Sequence, residues 1–284
     1  KTVFNIRSSI KIMIFNKNKF SIVSPAVMGI CNVTKDSFSD GGKNYKTPDA
    51  LKSIKGMIEE GAQIIDIGAE STKPGSDPIS YKEEIKKLSP ILKKLPKDQF
   101  LISIDSSKIE TQEFALENGA HIINDVFGGS NDLFQLTKKF KNGLVLMHTP
   151  APPKIMQSKV NSYKNVVSDI KKIFQTTLKK IDKYKIPHSK IWFDPGIGFG
   201  KNLAQNIEIM QNIQQFKIKK CGVLLGSSRK SWINGIDKSD VNNRLGGSVA
   251  SALYCYKKGV NMFRVHDVKE THQTLKVYKK LCSM

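Results

Sequence analysis

From residue 26 to the end, short apolar runs alternate with amphipathic segments in a regular rhythm. The runs are Ala26–Val33, Ile64–Gly68, Phe100–Asp105, His121–Val126, Leu144–His148, Ile191–Asp194, Val223–Gly226 and Asn261–Val268. Between them the spacing predicts helices over Pro48–Glu60, Tyr81–Leu95, Ile109–Asn118, Asp132–Lys141, Tyr163–Lys185, Leu203–Phe216, Asp240–Lys258 and Glu270–Cys282. Thr47-Pro48 reads as an N-cap with Pro at the first helical position, and Gly61, Gly119, Gly143 and Gly259 follow helix ends. Eight such alternations predict an α/β chain folded as a (β/α)8 TIM barrel rather than an open sheet. No linker or composition shift divides the chain, so residues 25–284 read as one domain. Ahead of it, Ile10, Ile12 and Ile14 alternate with polar neighbours, Asn16-Lys17-Asn18 turns, and Phe20 and Ile22 return. Residues 1–24 thus read as a β-hairpin that covers one end of the core.

The most distinctive stretch is Trp192-Phe-Asp-Pro-Gly-Ile-Gly-Phe-Gly-Lys201. A carboxylate ends a buried strand, and Gly-rich backbone beside it brings charge against a ligand without intervening side chains. Nucleotide motifs fail: a P-loop needs Gly at Pro195 and Ser or Thr at Asn202, and the dinucleotide fingerprint needs Gly at Lys201. A tight βα turn with Asp194 as a helix cap is the plainer alternative.

Polar residues fall at the ends of nearly every predicted strand: Asn32, Asp66, Asp105, Asn124 with Asp125, His148, Asp194, Ser228-Arg229-Lys230, and Arg264 with His266. Those ends form the active-site face of such a barrel. Asp105, Asn124, Asp194 and Lys230 suit a planar ligand bearing several N–H donors, with Lys230 donating to a ring oxygen. The same groups would also form an internal salt-bridge network among Asp105, Asp194 and Lys230. Arg264-Val265-His266 places a cation and an imidazole on one side of a strand, with Asn32 across the barrel, as an anion site; a structural pairing with Asp267 is the alternative. The acidic residues are too sparse for a protein-held metal cage, but Asn32 offers one oxygen to Mg2+. Two polar Gly-bearing loops, residues 33–42 and 68–76, read as mobile lids, with Phe38 a ring-stacking contact in the first. His121, His148 and His272 read as structural.

Composition adjusts this picture little. The formal net charge is +21, which raises nucleic acid as a partner. The excess is almost all Lys, spread along helices and unaccompanied by aromatic-basic clusters, so a solvated surface is expected. Hydrophobic content of 39% supports a substantial core, and no apolar run approaches the roughly 18 residues of a membrane span. Arginine occurs only as Arg7, Arg229, Arg244 and Arg264, which marks places where a planar fork matters. Cys31, Cys221, Cys255 and Cys282 form no close pair, as expected of buried, reduced thiols in a cytoplasmic protein. The start has neither an initiator Met nor a signal-peptide core, as expected of a piece excised from a longer chain.

Taken together, the motifs resemble the dihydropteroate synthase family of pterin-binding enzymes over roughly Val27 to Val268. They are Met28-Gly-Ile-Cys-Asn-Val-Thr-Lys-Asp-Ser-Phe-Ser-Asp-Gly-Gly42, Asp66-Ile-Gly-Ala-Glu-Ser-Thr-Lys-Pro-Gly75, Ile123-Asn-Asp125, Met147-His148, Asp194 to Lys201, Ser228-Arg-Lys-Ser231 and Arg264-Val-His-Asp-Val268. The resemblance implies condensation of (7,8-dihydropterin-6-yl)methyl diphosphate with 4-aminobenzoate to 7,8-dihydropteroate, a transferase step of folate biosynthesis. It implies that Asp105, Asn124, Asp194 and Lys230 hold the pterin, and that Asn32, Arg264 and His266 hold the diphosphate and its Mg2+. It further implies that Phe38, Thr72, Pro74, Lys230 and Ser231 shape the aminobenzoate site where sulfonamides compete. Asp105, Lys230, Arg264 and His266 are the expected catalytic residues.

Some positions depart from the family pattern. Lys35 stands for a usual Pro, Ala69 for Gly and Lys73 for Arg, and residues 149–153 replace a loop richer in glycine. Other readings of the same residues are a methyltransferase acting on methyl-tetrahydrofolate, a non-catalytic partner subunit, and a nucleic-acid binder. The small residues Gly246 to Ala252 permit close helix approach, within the barrel or in a homodimer, which the resemblance favours. An upstream pterin pyrophosphokinase domain is also consistent with the family.

Overall fold

Alternation along each barrel strand sorts its residues into two populations. In the computed structural model, which describes residues 10–15, 18–34, 47–71, 76–152, 154–156, 158, 160 and 163–282, eight parallel strands close into a barrel. They are β3 (Ala26–Asn32), β4 (Ile64–Gly68), β5 (Leu101–Asp105), β6 (Ile122–Asp125), β7 (Gly143–Met147), β8 (Ile191–Asp194), β9 (Gly222–Leu225) and β10 (Met262–Val265). β10 pairs with both β9 and β3, which closes the ring. Outward residues such as Ile65, Ile67, Ile102, Ile104, Leu144 and Phe193 pack against the helices in the larger core cluster. Inward residues Met28, Ile64, Leu101, Ile122, Val145, Trp192, Leu224 and Met262 form a second cluster at the strands' N-terminal ends.

Two residues further along, that inner face turns polar. Ile64 is followed by Asp66, Leu101 by Ser103 and Asp105, Ile122 by Asn124, Trp192 by Asp194, and Met262 by Arg264. The base of the barrel is thus an apolar plug and its mouth a polar funnel.

The plug is completed from outside. β1 (Ile10–Phe15) and β2 (Asn18–Val23) pair as the expected antiparallel hairpin, and Phe20 and Ile22 join the inner apolar cluster. Val23 and Gln63 exchange two hydrogen bonds that fasten the hairpin to the turn before β4.

The helices are α1 (Thr47–Glu59), α2 (Tyr81–Leu92), α3 (Ile109–Glu117), α4 (Asn131–Phe140), α5 (Val166–Asp182), α6 (Leu203–Gln211), α7 (Ser231–Asn234), α8 (Leu245–Lys257) and α9 (Val268–Leu281). Several boundaries correct the reading from periodicity. α5 begins at Val166 rather than Tyr163 because Asn165 caps it by accepting from the Ser168 N–H. The segment expected as Leu203–Phe216 ends its α-helix at Gln211 and continues as a short 3-10 turn, Ile213–Phe216. The helix expected from Asp240 starts only at Leu245, since the Asp240 carboxylate accepts from the N–H groups of Asn242 and Asn243 in a separate turn. α7 was not anticipated; four residues carry no period. After α4 it is Lys141, at φ 56°, that takes the left-handed position, and Gly143 opens β7. Of the four free cysteines, Cys31, Cys221 and Cys255 are buried as expected, but Cys282 is exposed on the last turn.

Candidate active site

The polar funnel is built around a half-buried guanidinium. Arg264, on β10, donates from Nε to Asp66 Oδ2 at 2.6 Å and from Nη2 to Asp105 Oδ2 at 2.8 Å. Asp66 also accepts from Ser103 Oγ at 2.6 Å and Asn124 Nδ2 at 2.9 Å. One fully buried carboxylate therefore registers residues from three other strands. Burial alone would lower the Arg264 value, but Asp66 and Asp105 hold it above the ordinary range. Burial pushes the Asp105 carboxyl up, to about 7, against the pull of Arg264. Asp105 Oδ1 is buried with no hydrogen-bond partner, and such an atom costs free energy until a ligand donor reaches it.

The alternative reading, a salt-bridge network among Asp105, Asp194 and Lys230, does not form; the ion pairs at the mouth are Asp66–Arg264–Asp105. Asn32 is not across the barrel from Arg264. β10 and β3 are neighbours because the eighth strand closes on the first, and Gly68 leaves open the space between Asn32 and Asp105: a Cβ there would stand 3.6 Å from Asn32 Oδ1 and 3.4 Å from Asp105 Cβ.

Asp194 sits at the end of β8. It caps the turn rather than a helix: its Oδ1 accepts from the Gly196 N–H at 2.7 Å, while Asn202 and Gln205 form the capping box of α6. Burial raises the Asp194 carboxyl and Lys230 opposes the shift. Burial lowers Lys230 to about 8, with Asp194 opposing. Lys230 Nζ donates to the Ile197 carbonyl at 2.6 Å and lies 4.5 Å from the Phe199 ring centroid. Gly226 leaves room beside both groups: a Cβ there would stand 3.4 Å from Asp194 Oδ2 and 3.8 Å from Lys230 Nζ.

His266 follows β10. Its main-chain N–H donates to Ser228 Oγ, and its Nδ1 lies 3.2 Å from the same hydroxyl. Burial, reinforced by Arg264 and Arg229, pushes the imidazole down to about 3, so it is neutral at pH 7. Asp267 pairs with neither Arg264 nor His266. It takes Arg229, which sits at φ 56° and binds both carboxylate oxygens. Ser231 is exposed at the start of α7. Phe38, Thr72 and Pro74, with Lys35 and Lys73, lie outside the described residues, as does much of both loops expected to act as lids. Among the described residues no three His, Cys, Asp or Glu side chains group to hold a metal, and no helix is long and apolar enough to cross a membrane.

The sequence placed Asp66 and Ser228 on the active-site face without assigning either a partner, and it did not single out Ser103. The signal was present for Asp66 and Ser103: both lie at inward positions of their strands, two residues beyond an apolar plug residue, where a polar side chain needs a partner.

Known proteins share the fold and much of the sequence. The family described as pterin binding enzyme matches residues 28–266. The dihydropteroate synthase of Escherichia coli K12 is 38% identical over 262 residues, covering 91% of this chain and 92% of that protein. That of Synechocystis is 36% identical over 255 residues, covering 88% of each. The Yersinia pestis dihydropteroate synthase, solved with a sulfonamide drug complex, superposes with a TM-score of 0.90 at 33% identity, covering 96% of this chain and 100% of that one. The Burkholderia cenocepacia enzyme complexed with 7,8-dihydropteroate gives 0.85 at 29% identity, covering 96% of each chain. By fold, by length and by the order of its motifs, the chain belongs to the dihydropteroate synthases of the pterin binding enzyme family.

Proposed function

We propose that the mouth of this barrel joins a dihydropterin carrying a methylene diphosphate to 4-aminobenzoate, with the substrates divided between the two halves of the polar funnel. The reaction is that of the family: the arylamine nitrogen forms a bond to the pterin methylene, the C–O bond to diphosphate breaks, and the amine loses a proton, giving 7,8-dihydropteroate. The observation that carries the assignment is Asp105 Oδ1, a buried acceptor without a partner, beside Arg264 and facing the funnel that Asn124, Asp194 and Lys230 also line.

Asp194, Asn124 and Lys230 supply the acceptors and the donor that a pterin edge demands. Asp105, whose ionised form the neighbouring Arg264 favours against burial, adds negative charge where positive charge develops on the methylene as the diphosphate departs. Arg264 brings a cation that is already oriented, and neutral His266 offers a hydrogen bond rather than a charge. Residues Phe38, Thr72, Pro74 and Ser231, together with Lys230, complete the aminobenzoate subsite in this reading, and sulfonamides compete there.

The site also suits Mg2+. Asn32, the last residue of β3, offers a single amide oxygen, and an ion that keeps several waters and takes phosphate oxygens needs little more from the protein. Asn32 would hold it, and the ion would supply charge to the leaving diphosphate.

Asp105→Asn tests the electrostatic part. In single turnover at saturating substrates, the chemical step of the variant falls about 100-fold. Weakened binding with an unchanged chemical step would contradict the role given to Asp105.

A further inference from the structure

The loop after β8 reaches the pterin half of the funnel from three left-handed glycines, Gly196, Gly198 and Gly200, at φ 70°, 82° and 58°. Such backbone is intrinsically loose, since glycine loses more conformational freedom on ordering than any other residue. Yet three of its atoms sit directly on the site. The Gly196 N–H donates to Asp194, the Ile197 carbonyl accepts from Lys230, and the Phe199 ring lies under the Lys230 ammonium. Something must fix this loop.

Lys201 does so. Its side chain is 4% exposed; burial lowers its pKa to about 7, and the three main-chain carbonyls around it, Phe199 O at 2.8 Å, Gly196 O at 3.0 Å and His148 O at 3.3 Å, take all three donors of the protonated form. Two acceptors lie in the loop itself and the third follows β7, so one cation staples adjacent strand ends together. The fit is close: a Cβ on Gly196 would stand 2.1 Å from the His148 oxygen and 3.3 Å from Lys201 Nζ. The Tyr163 ring lies 6.0 Å from the ammonium on another side. Asn206 completes the loop's restraint by accepting from the Gly198 N–H at 2.7 Å.

We infer that Lys201 is a positioning residue for pterin binding, acting through the Gly196–Phe199 backbone on Asp194 and Lys230. The inference rests on the reading of Asp194 and Lys230 as pterin contacts. Lys230 also serves the aminobenzoate subsite, but Asp194 serves the pterin alone and the loop N–H of Gly196 binds it, so the loss of Lys201 should be felt mainly in the pterin.

The test is Lys201→Met, which keeps the apolar stem and removes the three donors, with Lys201→Gln as the partly donating control. Affinity for the 6-hydroxymethyl dihydropterin lacking diphosphate is measured by fluorescence titration, beside the KM for 4-aminobenzoate and the melting temperature. The expected result is a pterin Kd raised at least about ten-fold in Lys201→Met and by an intermediate factor in Lys201→Gln, with the aminobenzoate KM within about three-fold of the parent, as loss of charged hydrogen bonds predicts. An unchanged pterin Kd would overturn the inference. So would a uniform loss of both ligands in step with the melting temperature. Asp194→Asn separates the two levels: if it leaves pterin binding intact, the pterin-site reading itself fails; if it abolishes binding while Lys201→Met does not, only the role of Lys201 fails.

Discussion

His121, just before β6, is 1% exposed, and its protonation state is fixed by its neighbours. The Ile102 N–H donates to Nδ1 at 3.0 Å, which leaves Nε2 to donate to the Lys97 carbonyl at 3.1 Å. Only the neutral ring satisfies both, and burial pushes its pKa down to about 4. The folded value lies below the unfolded one, so between pH ~6.5 and ~4 the unfolded chain takes up a proton that the folded chain refuses. Stability falls as pH falls, by about 2 kcal/mol from this residue at pH 5. Asp105 acts with the opposite sign, since its raised value favours the folded state on acidification. The clean readout is therefore a difference. Denaturant unfolding of the parent and of His121→Gln should show a stability gap at pH 7 that narrows by about 2 kcal/mol at pH 5; a constant gap would contradict the assignment. The sequence identified His121 as structural, and it also placed Asp105, Asn124, Asp194 and Lys230 at one mouth. It did not reveal who pairs with whom. Asp66 and Arg264 are 198 residues apart in the chain, and a pattern that reports which face a residue occupies carries no information about which of several carboxylates reaches it.

At the scale of elements, the hairpin and the barrel share one apolar layer, so the hairpin is part of the core's closure. Phe20 is 8% exposed, packs edge-on to His121 with ring centroids 4.8 Å apart, and covers the inner plug. Phe20→Ala should cost about 3 kcal/mol of stability, as large-to-small changes in cores do. Because the plug lies at the base and the polar funnel at the mouth, kcat should stay at the parent value. A variant that keeps its stability, or one that loses kcat while folded, would contradict this division of the barrel. Strands were the most legible elements because each is a short, nearly continuous apolar run, as strands buried on both faces are, and most end in a polar residue at the mouth. Helix ends were less so. Asn165 and Asp240 set where α5 and the turn before α8 begin, through side-chain hydrogen bonds that a hydrophobic period does not report, and α7 is too short to show a period at all.

At the scale of the whole molecule, the net charge is +21 and helix lysines such as Lys172, Lys179 and Lys180 are exposed, while the funnel sets Arg264 and Lys230 against three carboxyl groups, Asp66, Asp105 and Asp194. That arrangement concentrates compensated charge at the mouth and leaves the lysines to water. The most direct test of the account is an endpoint assay of the parent protein with the dihydropterin methylene diphosphate, 4-aminobenzoate and Mg2+, with and without EDTA, scoring 7,8-dihydropteroate and released diphosphate. The account predicts both products in equal amounts, lost when EDTA is present. Bound pterin with no dihydropteroate formed, or product made at an undiminished rate in EDTA, would contradict it: the first in the reaction assigned to the funnel, the second in the ion assigned to Asn32.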